Sequence, residues 1–374
     1  MKKTKVGIVG CGMISDTYFN ASKKFNMIEV VACSDIIPSR SKAKEEAHGV
    51  PAMTNDELFA QKDIEIVLNL TPPQVHSKIA IDTLNAGKHA YSEKPFGVDI
   101  DDAAKVIALG KAKGLRVGCA PDTFLGGGQQ TCRKMIDDGW IGKPLCGTAM
   151  VMGRGPEKWP QAPFFYRYGA GPMLDLGPYY VTALVNMLGP AKSVTAFTTK
   201  GFEERTIGDK VAEEYLAEGL KPFGTYKVDV TTHLTGVIEF VSGAVITMVA
   251  SFDVYRHGHS PIEIYGTEGS LKVPDPNTFG GPVKVWRRGY ADWVDAPLSH
   301  TYTDNSRSIG AADMAIALKN NRKHRVNGEL ANHVLEVMLS FDKSSKEGKR
   351  IELKTTCERP APLPLGLEVG EIGD

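Results

Sequence analysis

The sequence predicts an α/β protein: an N-terminal doubly wound parallel sheet, then a C-terminal α/β unit with a large, mostly antiparallel sheet. Three observations carry this. Short Val/Ile-rich runs alternate with helical stretches up to about Ala120. A glycine pair separates the first run from the first helical stretch. Beyond Gly189 the chain instead alternates polar and apolar residues, as strands with one face on a core do. At 374 residues the chain is too long for one core, and the change of pattern divides it into residues 1–122 and 123–374.

"KVGIVG" (Lys5–Gly10) reads as a buried parallel strand, and "EVVACSD" (Glu29–Asp35) as a second one ending in an acid. Between them, Gly10, Gly12 and Ser15 stand at G-x-G-x-x-S spacing and open an amphipathic stretch running to about Phe25. That context, strand then glycines then helix with an acid closing the next strand, is what the Rossmann dinucleotide fingerprint requires. Gly10 allows the tight turn. Gly12 lets the backbone approach a pyrophosphate lying at the helix N-terminus. Asp35 can accept hydrogen bonds from a ribose hydroxyl and repels a 2′-phosphate, so NAD is favoured; Arg40 nearby could accommodate that phosphate and keeps NADP possible. The alternation continues with the strand "IEIVLNL" (Ile64–Leu70), a proline-started helix from "TPPQVH" stopped by Gly87, and the strand "KHAYSE". A helix with Asp in its first turn then ends at Gly114, before the last strand, Leu115–Ala120.

Ligands of such sheets bind beyond the carboxyl ends of the strands. Four points sit there: Gly10–Gly12, Asp35, Thr71-Pro72 and Glu93-Lys94-Pro95. Pro95 holds Lys94 in extended backbone at its strand end. A nicotinamide cation nearby should lower the pKa of Lys94, as suits acid/base work, although a solvated surface lysine before a turn is the plainer reading of the residue type alone.

Composition excludes several classes. With 44 basic and 44 acidic residues and no basic stripe, no nucleic-acid partner is expected. No stretch approaches the ~20 apolar residues of a membrane span. The apolar run before Cys11 is too short for a signal segment of roughly 7–15 residues. The six cysteines form no C-x-x-C pair and suggest neither zinc nor a disulfide framework, which fits a reducing cytoplasm. His257 and His259 lack the further partners a metal would need, and no metal is expected.

With "GIVGCGMIS", "TPPQVH", "EKP", "GAGPMLDLGPYY" (Gly169–Tyr180) and "YGTEGSL" (Tyr265–Leu271) together, the chain resembles the Gfo/Idh/MocA (glucose-fructose oxidoreductase, inositol dehydrogenase) family over nearly its whole length. The resemblance implies a Rossmann domain followed by a domain whose open sheet face makes an oligomer interface, so a homo-oligomer (dimer or tetramer) is expected. It implies hydride transfer between NAD(P) and a sugar, polyol or sugar derivative, with Lys94 as the catalytic lysine of a tripeptide whose proline is often cis. Many members carry histidine where this chain has Tyr179; some carry tyrosine. A tyrosine ordinarily titrates near ~10, so Tyr179 serves as base only if a cation such as Lys94 lowers that value.

Asp175 and Tyr179 are four apart and would share one face of a helix, with capping of that helix as the structural alternative for Asp175. The expected catalytic set is Lys94, Tyr179 and Asp175. The expected cofactor set is Gly10, Gly12, Met13, Ile14, Asp35, Ile36, Arg40, Thr71, Pro72, His76, Glu93 and Lys94. By the same resemblance the glycine-rich loop "TFLGGGQQ" (Thr123–Gln130) borders the substrate, so Asp122, just before it, and Phe124, within it, are candidates for lining the substrate site, together with Trp159 and Arg307. A dinucleotide-bound sensor without turnover and an NAD-recycling glycosidase are the alternatives. The Pro/Gly-rich C-terminal stretch is expected to be an irregular arm able to reach a neighbouring subunit.

Overall fold

The computed structural model describes residues 2–373, and all counts refer to these. The first half contains β1 (Thr4–Val9), α1 (Ser15–Ser22), β2 (Ile28–Ser34), α2 (Pro38–His48), β3 (Ala52–Met53), α3 (Asn55–Ala60) and β4 (Ile66–Asn69), then α4 (His76–Asn85), β5 (His89–Ser92), α5 (Ile100–Lys113) and β6 (Val117–Cys119). The six strands form one sheet in the order β3-β2-β1-β4-β5-β6, and every pairing is parallel. Val6, Ile8, Ile66 and Leu68 are fully buried, which explains why these strands read as unbroken apolar runs. The chain order reverses between β1 and β4, which places the crevice of a doubly wound sheet beyond their ends. β3 and α3 do not show in the hydrophobic pattern, because two residues carry no period. The capping box that starts α3 is readable in the sequence: Thr54 and Glu57 exchange hydrogen bonds at 2.8 and 3.2 Å.

The second half begins with α6 (Gly127–Asp137), β7 (Pro144–Met152), α7 (Gly171–Asp175), α8 (Gly177–Leu188) and β8 (Ala191–Thr199). A small excursion follows: β9 (Glu204–Thr206), α9 (Glu213–Ala217) and β10 (Thr225–Lys227). Then come β11 (His233–Phe240), β12 (Val245–Ser251), β13 (Ile262–Gly266), β14 (Gly269–Val273), β15 (Val283–Arg287) and β16 (Val294–Ala296), and finally α10 (Ile309–Lys319), α11 (Gly328–Glu347) and β17 (Ile351–Glu352). Nine strands make one sheet, β16-β15-β14-β13-β7-β12-β11-β8-β17, antiparallel throughout except at β7–β12. α8 and α11 pack on one face of this sheet, and α10 returns to the parallel sheet, with Met314 close to Gly118 and Gly310 close to Tyr91.

One local expectation changes. The glycines of "TFLGGGQQ" are not a loop, since helix α6 starts at Gly127. A Cβ on Gly128 would lie 2.0 Å from the Gly280 carbonyl oxygen, so glycine is needed here for close helix packing rather than for a turn. The C-terminal arm lies on its own chain. Leu363 and Ile372 are buried, the Leu363 N–H donates to Gln130 at 2.8 Å, and the Arg133 guanidinium donates to the Pro360 carbonyl at 3.0 Å.

Candidate functional site

The glycine turn leaves β1 with Gly10 in positive φ (+100°). Asp35, at the end of β2, braces it: one carboxylate oxygen accepts from the Cys11 N–H and the other from the Ile37 N–H, both at 2.8 Å. A Cβ on Gly12 would meet nothing within 4 Å, so the backbone there borders open space in front of α1. Ile36 (91% exposed) and Met13 (58%) present apolar side chains at this rim, where an adenosine moiety could cover them. These features fit a bound dinucleotide. Arg40 is turned elsewhere, 3.5 Å from the Glu214 carboxylate.

At the end of β4, Asn69 organises the turn. Its amide donates to the His76 carbonyl (3.0 Å) and to Ser92 Oγ (3.2 Å), and its oxygen accepts from Thr71 Oγ1 (2.6 Å). His76 is buried, its ring nitrogens 2.7 Å from the carbonyl oxygens of Pro95 and Thr71. It therefore ties the β4 turn to the β5 turn and stands behind the site instead of facing it. Burial lowers its pKa, which keeps the ring neutral.

Beyond β5, Glu93 is buried; its carboxylate accepts from the Tyr18 hydroxyl and the Lys94 N–H, both at 2.7 Å. The Lys94–Pro95 peptide bond is cis. Lys94 Nζ donates to Asp175 twice, to its carboxylate at 2.7 Å and to its carbonyl at 2.6 Å, and lies 5.4 Å from the centre of the Tyr179 ring. Asp175 and Tyr179 do not share a helix. Asp175 closes α7, Leu176 makes the joint, and Tyr179 sits in the first turn of α8. Asp175 does not cap α8, which has no side-chain cap. The kink still brings both residues to Lys94.

The electrostatics hold both Lys94 and Tyr179 up. Burial works to lower Lys94, but the Asp175 carboxylate, with Tyr179 and Glu93, outweighs it and holds the ammonium above its ordinary value. Tyr179 is pushed up: its burial exceeds the opposing pull of Lys94 and Arg307. In this state both groups keep their protons at neutral pH and present hydrogen-bond donors.

A cleft of about 780 Å³ joins these parts, lined by Met13, Thr71, Glu93, Lys94, Asp175 and Tyr179 together with Arg154, Trp159, His257 and Arg307. Asp122 and Phe124 are buried outside its lining. Asp122 acts through its neighbours: one of its oxygens accepts from the Ser308 and Gly310 N–H groups, at 3.1 and 3.0 Å, and so clamps the backbone that immediately follows Arg307. Arg307 in turn donates to Asn277 (2.9 Å) and Asn305 (3.1 Å). Asn69, Tyr18 and Arg154 escape a reading of the sequence. Only Asn69, the polar residue closing an apolar strand, has a signal there.

Burial pushes Asp122 up to about 6, against the Gly310 N–H and Arg307, which favour the carboxylate. Below that pH the clamp loses its charge, so kcat/KM is expected to fall as pH drops through about 6. In Asp122→Asn that inflection disappears from the pH–rate profile. Stability runs the other way. A carboxyl raised above its unfolded value stabilises fully below that value, and the contribution is lost as pH rises through about 6.

Comparison with known proteins agrees with this architecture. Residues 4–120 match the family model described as oxidoreductase family, NAD-binding Rossmann fold, and residues 129–272 match the GFO/IDH/MocA C-terminal domain. Inositol 2-dehydrogenase of Salmonella typhimurium is 35% identical over 155 residues, 40% of this chain and 45% of that protein. Levoglucosan dehydrogenase of Pseudarthrobacter phenanthrenivorans is 25% identical over 294 residues, 72% and 73% of the two chains. The alignments span about half the length of the first curated relatives. Among solved structures, aldose-aldose oxidoreductase from Caulobacter crescentus superposes with a TM-score of 0.78 at 18% identity, over 94% of this chain and 100% of the other. Two adjoining domain matches in the family's own order, over the sheet, glycine turn and Lys94 strand end described above, mean that the chain belongs to the GFO/IDH/MocA oxidoreductase family.

Proposed function

We propose that the chain is an NAD-dependent oxidoreductase that interconverts a hydroxyl and a carbonyl on a sugar, polyol or sugar derivative. The observation that carries this reading is the Lys94–Asp175–Tyr179 cluster on the wall of the cleft that also reaches Met13 and Ile14, directly after the glycine turn. Gly10, Gly12, Met13, Asp35 and Ile36 would hold the dinucleotide, with Thr71 and Glu93 bordering the same cleft. When bound, the cofactor supplies or accepts the hydride. The protein's part is the proton. The Lys94 ammonium, seconded by the Tyr179 phenol, hydrogen-bonds the substrate oxygen and delivers a proton as a carbonyl is reduced. Asp175 orients Lys94 through its two contacts. His76, Asn69 and Asp122 are positioning residues. A homo-oligomer formed through the open face of the nine-stranded sheet belongs to the same reading.

The test is a panel of sugars and polyols assayed by NADH absorbance, with NAD and NADP in parallel. Turnover of at least one member supports the reading. Tight NAD binding with no product across the panel overturns it. NAD is expected to exceed NADP in kcat/KM by at least about tenfold, because Asp35 repels a 2′-phosphate and Ile36 offers it no donor. Asp35→Ala is expected to narrow that ratio.

A further inference from the structure

Arg154 stands apart from the other charged residues lining the cleft. Lys94 is paired with Asp175, Glu93 accepts two hydrogen bonds, and Arg307 is bonded to two asparagines. Arg154 makes no hydrogen bond and no ion pair among the described residues, and its Nη1 is buried without a partner. The acids near it in the fold serve another group: Glu157 and Asp253 both pair with Arg205. Yet Arg154 is not loose. Its guanidinium contacts two rings, 4.6 Å from the centre of Phe202 and 4.5 Å from that of Tyr255, and Tyr255 is itself 80% exposed. These cation–π contacts hold the guanidinium without using its N–H donors. A rigid, uncompensated guanidinium on a cleft wall is an arrangement that costs stability until an anion meets it.

We propose that Arg154 recognises a carboxylate on the substrate, so that the preferred substrate is a sugar acid such as a uronate. This rests on the oxidoreductase reading above and names its substrate class. One planar fork matches one planar carboxylate through two parallel N–H···O bonds. Neither Arg205 nor Lys94 is free to act as a second cation. Trp159, which lines the same cleft, offers an apolar wall for the sugar ring.

The experiment compares sugars that differ only at C6: D-glucuronate with D-glucose, and D-galacturonate with D-galactose, with glucose 6-phosphate as the phosphate arm. The acids are expected to have the higher kcat/KM. In Arg154→Gln the acid-to-neutral ratio of kcat/KM falls by about thirtyfold or more, through KM, as loss of a charge-assisted pair predicts. Arg154→Lys recovers only part of it. Tyr255→Ala, a change at an exposed side chain, lowers the same ratio. An unchanged ratio in Arg154→Gln overturns the proposal, and so does preference for the phosphate over the uronates. Calorimetric titration with glucuronate in the presence of NAD separates the two readings. If no sugar turns over yet glucuronate binds and Arg154→Gln abolishes binding, the redox reading fails and the carboxylate site stands. If glucose turns over while glucuronate neither binds nor reacts, the redox reading stands and the carboxylate site falls.

Discussion

Lys94→Met is expected to lower kcat by about a thousandfold while leaving the NAD dissociation constant within about threefold, the size of effect a positioned proton donor supplies. The argument is geometric first. Lys94 is delivered by the end of β5, its backbone N–H held by Glu93 and its Nζ held twice by Asp175. Methionine keeps the length and apolar stem but removes the ammonium paired with Asp175 beside Tyr179. Turnover of the best substrate and a fluorescence titration with NAD check the two halves separately. A kcat within a few-fold of wild type would remove Lys94 from the mechanism.

The direction of the pKa shifts adds a pH dependence. Lys94 is held up by Asp175 and Tyr179 by burial, so at neutral pH both groups are protonated. Carbonyl reduction, which consumes a proton, should be insensitive to pH around neutrality and decline only in the alkaline range. Alcohol oxidation needs an unprotonated acceptor and should rise with pH over the same range. The stability linkage has the sign of a raised lysine: present below the unfolded pKa and lost as pH rises through the folded one. In Asp175→Asn the counter-charge is gone and desolvation of Lys94 is unopposed by its main partner. The alkaline limb of oxidation should then move to lower pH.

The parallel sheet is legible in the sequence because both its faces are covered, so β1, β2, β4 and β5 each read as an apolar run. The glycine turn, Asp35 and Lys94 are legible because strand-end chemistry is local in sequence. What cannot be read comes from distance. Asp175 meets Lys94 across 81 residues, and only the kink at Leu176, which the sequence pattern hides inside one apolar stretch, sets their contact. The sign of the Lys94 shift depends on that contact and so cannot come from the residue type. Asp122 likewise reads as a loop acid near a substrate, yet its partners, Ser308 and Gly310, lie 186 and 188 positions away. The place of His76 after a strand suggests a cofactor ligand. Its ring instead lies behind the site, between carbonyls of two neighbouring turns.

Gly10→Ala and Gly12→Ala should separate folding from cofactor binding, although the two glycines stand two positions apart in one turn. At Gly10 the backbone φ is +100°, and an added Cβ would lie 2.7–2.8 Å from the Leu70 carbonyl carbon and oxygen and the Thr71 nitrogen. All three are backbone atoms at the end of β4 and cannot rotate away. Strain and overlap together should cost about 2–5 kcal/mol. Gly10→Ala is therefore expected to lower Tm in the absence of NAD and, by pushing the β4 turn away, to weaken NAD as well. At Gly12 the added methyl meets nothing within 4 Å, so Tm without NAD should stay at the wild-type value. The methyl then occupies the space through which the pyrophosphate must reach the backbone, and NAD affinity should fall by at least about tenfold, roughly 1.4 kcal/mol. Thermal scans with and without NAD read both effects at once. Gly10→Ala loses the baseline Tm, whereas Gly12→Ala keeps the baseline and loses the NAD-induced rise. If Gly12→Ala kept the full NAD-induced rise, the dinucleotide would have to lie away from this turn, and the placement of Asp35 on its ribose would fail with it.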